Sequence, residues 1–139
     1  MKKPQTLRTA LTQAIPALAA DPERLTVFVD QGSVNAVSTA SASFTYRYKL
    51  NVLLMDFVGD PDVVMIALLE WARQHEPDLL ATGNDDDTLS FEVDMLSNDT
   101  YDLAIKLSLT ESIVVSKGED GKHVITHSEA PRWDEWCAS

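Results

Sequence analysis

Ser43-Phe-Thr-Tyr-Arg-Tyr-Lys-Leu-Asn-Val-Leu-Leu-Met-Asp-Phe57 carries the strongest structural signal in the chain. Phe44, Tyr46, Tyr48, Leu50, Val52 and Leu54 recur at every second position, and Thr45, Arg47, Lys49 and Asn51 fill the places between. A two-residue period puts successive side chains on opposite faces of a strand, so one face is buried and the other is wet. Towards Leu53 and Met55 both sides turn apolar, which predicts a strand that becomes fully covered.

Working outward, Leu25–Val29 is also β-rich, and Asp30-Gln31-Gly32-Ser33 reads as a hairpin turn into a strand over Val34–Thr39. Upstream, Pro4 opens a helix over about residues 4–15, with Leu7, Leu11, Ala14, Ile15 and Leu18 at helical spacing. Pro16 kinks or ends it before a last turn over Ala17–Ala20. Downstream, Asp60-Pro61 supplies an N-cap and a first helical residue. Val64, Leu68, Trp71 and Ala72 form the buried stripe of this second helix, and Glu76-Pro77 ends it. Strands follow at Thr88–Leu96, Tyr101–Leu109 and Ser112–Ser116, with a short edge strand over His123–Thr126.

The expected order is α-β-β-β-α-β-β-β. Strands joined by tight turns pair antiparallel, so the fold class is α+β, a mostly antiparallel sheet with two helices packed on it. With 139 residues the chain has the length of one domain. Lys117–Lys122 is a polar break, so residues 1–117 are expected to form the domain and residues 118–139 a flexible C-terminal tail.

Charge is uneven. The net charge is −11, yet residues 1–60 carry +1 and residues 61–139 carry −12. Such a surface repels nucleic acid except at a local basic patch. The longest apolar run, Val63–Leu69, is far short of a membrane span, and no apolar core follows the basic start to make a signal peptide. The expectation is a soluble protein.

No catalytic site can be read. His123 and His127 have a spacing that suits a metal on a helix, but the β-branched residues between them argue for a strand, where they stand about 13 Å apart. Asp85-Asp86-Asp87 lacks the spaced ligands of a calcium loop and reads as a solvated turn. Cys137, the single cysteine, has neither an activating base nor a supporting shell beside it. Phosphate-binding loops and nucleophile elbows are absent. No enzyme activity, metal or cofactor is expected.

Partner binding is better served. Arg47 and Lys49 stand on the polar face of the long strand, with Lys106 expected on a neighbouring strand, and they either solvate an exposed sheet face or meet an acidic surface on another copy or partner. Trp133 and Trp136 stand three apart in the tail, and either fold back on the core or anchor in a neighbour.

Met1–Arg8, Pro22–Gly32, Phe44–Phe57, Leu69–Leu80 and Phe91–Glu111 together resemble the tail completion protein R (GpR) family of Peduovirus-type contractile-tailed phages and prophages. The resemblance spans about residues 1–117 and rests on many positions, with no chemical motif among them. It implies a structural protein of the virion tail, made in the host bacterial cytoplasm. It further implies action at the head-proximal end, where tail completion and head–tail joining occur. Terminator proteins at that place have a sheet flanked by helices and form rings, often hexamers, on tail tube, sheath or connector proteins, while DNA passes nearby without specific binding. The alternative reading, permitted by the charge, is an acidic DNA mimic that inhibits a host nucleic-acid-binding protein.

Overall fold

The structure is a computed structural model that describes residues 1–37, 40–80 and 89–128. Helix α1 spans Lys3–Ala14 and α2 Pro16–Ala20. A 3-10 turn at Pro22–Arg24 leads into β1, Leu25–Ala36. Strand β2 is Phe44–Val58 and α3 is Pro61–His75. After a second 3-10 turn come β3, Leu89–Met95, β4, Thr100–Lys117, and β5, His123–Ser128.

All strand pairs are antiparallel, in the order β1-β2-β4-β3. β5 lies end to end with β3 on the same edge of β4, pairing residues 112–117 while β3 pairs 101–107. The sheet therefore continues beyond residue 117. The α+β class and the mostly antiparallel sheet agree with the reading of the sequence; two strands instead of three precede α3, and the three that follow it are divided differently, for two physical reasons.

First, Asp30–Ser33 is a bulge inside one strand and not a hairpin. The register slips between Asp30, opposite Lys49, and Ser33, opposite Arg47, and Gln31 takes a left-handed φ of 51°. Turn-forming residues serve a bulge as readily as a turn. The extra residue returns Val34 to the face shared by Tyr46. Second, Tyr101–Leu109 and Ser112–Ser116 are one strand. Glu111 does not interrupt it, because its carboxylate is bonded inside the protein.

A second bulge lies between Leu54 and Phe57, where Asp56 has φ 53°. Strict alternation would aim Asp56 at the core. The bulge aims Phe57 there instead, and Phe57 is buried. Gly59, at φ 135°, then turns the chain into α3, a conformation that residues with a Cβ rarely adopt. The Asp60 side chain caps α3 as expected, Oδ1 accepting from the Asp62 N–H at 2.9 Å.

The three helices cover one face of the sheet. Leu7, Leu11 and Leu18 join Val64, Leu68 and Trp71 above Leu50, Val52, Leu54, Leu103, Ile105, Leu107 and Leu109. The first helix is split as Pro16 predicts, because Ile15 leaves the helical conformation and is buried. Among the described residues no helix is long and apolar enough to cross a membrane.

Candidate interaction surfaces

On the face away from the helices, the alternation of β2 presents Arg47, Lys49 and Asn51. Arg47 is exposed and lies opposite Thr110. Lys49 is half-buried and donates from Nζ to Ser108 Oγ at 2.6 Å. Lys106 is exposed and pairs with Asn51 in register, so three basic groups share this face. Asn51 is buried, its Nδ2 donating to Asp30 Oδ1 at 2.8 Å. On the same face, towards the other end of β4, Asp94 stands directly opposite Asp102 and Glu92 opposite Ala104. The outer face thus has a basic middle and an acidic corner. Like charges in register repel, and Asp102 is held there by accepting from the Asp56 N–H at 2.9 Å.

The inner face holds a polar knot that sequence reasoning missed. β3 pairs β4 only as far as Leu107 and β5 only from Ser112, so an edge gap lies between them. Lys3 and Glu76 fill it. The two form a buried ion pair, Lys3 Nζ donates to the Thr110 carbonyl at 2.6 Å, and Thr110 N–H donates to Glu76 Oε1 at 3.3 Å. An ammonium and a carboxylate thereby do for Thr110 what the N–H and C=O of a neighbouring strand would do. Next to them Glu111 Oε1 accepts from the backbone N–H groups of Lys2, at 2.6 Å, and Lys3, at 3.3 Å. These belong to the start of α1, which has no side-chain cap of its own, so a distant strand supplies one.

Tyr48 completes the knot by donating its hydroxyl to Glu111 Oε2 at 2.6 Å. Burial first, and the hydrogen bond to the Glu111 carboxylate second, push the Tyr48 hydroxyl far above the usual phenol range. The signal for this knot is Glu111 itself, which occupies an inward position after Leu103, Ile105, Leu107 and Leu109 and before Ile113. Beside it lies a cavity of about 10 Å³ lined by Lys2, Thr6, His75 and His127 among others, into which no ligand larger than about one water fits.

A larger groove of about 680 Å³ runs between α1 and α3. Ala10 and Ala14 on one side, and Val63, Ile66, Ala67 and Trp71 on the other, give it apolar walls, and Thr9, Gln13, Glu70 and Gln74 add polar groups. Trp71 is buried beneath it, donating from Nε1 to Thr6 Oγ1 at 3.1 Å and stacking on His75.

His123 and His127 lie on β5, opposite Lys117 and Ile113, and are not brought together. Among the described residues no three His, Cys, Asp or Glu side chains converge as metal ligands would. Asp85–Asp87, Trp133, Trp136 and Cys137 lie outside the described residues.

No solved structure matches the chain. Among curated proteins, tail completion protein R of Escherichia phage P2 is 39% identical over 132 residues, covering 94% of this chain and 85% of that protein. The family described as P2 phage tail completion protein R (GpR) matches residues 1–131, stopping two residues before Trp133. A match of that extent leaves no ambiguity of membership: the chain belongs to the GpR family of phage tail completion proteins.

Proposed function

We propose that this protein is a structural component of a phage tail that completes the tail during virion assembly. The family match over residues 1–131 carries the reading, and the similar protein of Escherichia phage P2 is named for tail completion. The DNA-mimic reading has no finding in its favour.

In finer terms, the protein acts at the head-proximal end, as a ring of copies seated on tube, sheath or connector proteins. Arg47, Lys49 and Lys106 on the uncovered sheet face meet an acidic surface of a neighbour, and the acidic corner at Glu92, Asp94 and Asp102 stays turned towards the DNA path. A wall without lysine or arginine lets phosphates pass without holding them. Trp133 and Trp136, which lie beyond the matched residues 1–131, are candidate anchors in a neighbour.

The test is electron microscopy of particles made without this gene, then with it restored in trans. Free heads beside unjoined or wrong-length tails, rescued by the restored gene, are expected. Normal infectious particles without the gene would overturn the proposal. For the finer reading, Arg47→Glu with Lys106→Glu should lower the yield of joined particles roughly tenfold or more while the protein still folds. Unchanged yield would remove the basic face from the interface.

A further inference from the structure

Two apolar surfaces stand at opposite edges of the sheet, and the charges around them have opposite signs. The first is on the uncovered face of β1 and β2. Phe28 and Lys106 flank Asn51 in one row, and Leu53 and Met55 continue the outward side of β2 beyond it. Phe28 is 43% exposed and Met55 45%. Residues 44–55 hold Arg47 and Lys49 and no acid. Asp30, the one acid of β1, is bonded to Asn51. This surface is apolar with a basic border.

The second surface lies between α3 and β3. α3 starts where Val58 pairs with Thr100 and ends where Glu76 is bonded to Thr110, so it runs along β4. α1 is on the β1 side, where Arg8 donates to the Leu25 carbonyl. Val63, Ala67 and Gln74 face α1 across the groove. At about 100° per residue, Met65 and Leu69 then fall on the other side of the helix, towards β3. On β3, which edges the sheet, Phe91 and Met95 occupy the helix-side face opposite Ile105 and Tyr101. They are nevertheless 61% and 72% exposed, and Leu69 is exposed as well. Residues 56–72 and 89–102, which build this surface, contain no Lys, Arg or His, and Asp60, Asp62 and Asp99 border it. This surface is apolar with an acidic border.

We propose that the basic-bordered surface on β1 and β2 of one copy docks on the acidic-bordered surface at α3 and β3 of the next. The inference rests on the proposed joining of copies, and it names the acidic surface that Arg47 and Lys106 meet. An apolar centre with a charged border is the usual composition of a protein interface, and opposite signs fix which surface meets which. Two like surfaces brought together would set their borders against each other. The two surfaces lie at opposite edges and on opposite faces of one sheet, so no copy can satisfy itself. A contact between two different surfaces repeats from copy to copy, and closes into a ring where its rotation allows. It uses the helix-side rim of β3, so Glu92, Asp94 and Asp102, on the other face, stay outside it.

Analytical ultracentrifugation of the purified full-length protein tests this with two variants. Arg47→Glu with Lys106→Glu spoils the basic-bordered surface, and Phe91→Glu spoils the acidic-bordered one. All three positions are exposed, so both variants are expected to fold, which circular dichroism checks. Leu69→Glu replaces Phe91→Glu if the latter fails that check. Wild-type protein should associate as its concentration rises, and each variant alone should need at least about tenfold more protein to do so. Mixed together, the two variants should form a one-to-one pair and nothing larger, because only one intact junction is left between them. Wild-type protein that stays monomeric at its highest soluble concentration overturns the proposal. So does a mixture that forms no pair, or association lost in one variant and unchanged in the other, which means that like surfaces meet. Any of these results, beside unjoined tails in particles made without the gene, would sink this contact and leave the tail role standing.

Discussion

The two faces of one sheet answer to different demands. Under the helices, Leu50, Val52, Leu103, Ile105 and Leu107 are fully buried, and the polar Lys3, Tyr48, Glu76 and Glu111 among them are bonded to one another or to backbone. On the other face Arg47 and Lys106 are exposed, and the far corner of the same face carries an unfavourable pair, Asp94 against Asp102. Burial decides the first face residue by residue. The second is open to solvent and tolerates charges that burial would not, and the proposed contact with a neighbour draws on those charges. Stability and assembly should therefore separate by face when residues are changed.

The largest loss should come from Glu76→Ala. It leaves Lys3 as an uncompensated charge in a buried site and reopens the edge of β4, at about 3–5 kcal/mol in urea unfolding. Leu107→Ala, a cavity under the helices, should cost about 2–5 kcal/mol by the same measurement. If either changed stability as little as a surface substitution, the contrast between the faces would fail.

Tyr48→Phe removes one hydrogen bond to a buried carboxylate and should cost about 1.5–3 kcal/mol at neutral pH. It also has a signature in alkali. Because the folded protein holds the Tyr48 proton far above the ordinary phenol value, the unfolded chain releases a proton that the native state keeps. Tyr48 thus contributes fully below about pH 10, and its contribution falls as pH rises beyond that value. The wild-type protein should lose stability more steeply above that pH than Tyr48→Phe does, as thermal melts across pH 8 to 11 would reveal.

Smallest in stability is Arg47→Glu, expected within about 0.5 kcal/mol of wild type. It sharpens the comparison only if particle assembly drops while the melting temperature holds. A drop in both would mean that the outer face also supports the fold.

The long strand over Phe44–Val58, the Asp60-Pro61 start of α3, the proline break after α1 and the outward aim of Arg47 and Lys49 were all legible in the sequence. Each depends on a local period, a cap or a missing N–H, and such signals act within a few residues. The bulges at Gln31 and Asp56 were not legible, since turn chemistry is the same whether the chain reverses or slips by one residue. Only pairing with β2 and β4 selects the slip. The knot of Lys3, Tyr48, Glu76 and Glu111 was equally out of reach, because its members lie up to 108 positions apart. A lone glutamate among inward leucines marks the place where a partner is required. Which partner answers it, the start of α1, was decided by tertiary structure, because a buried carboxylate is stable only where packing has brought donors to it.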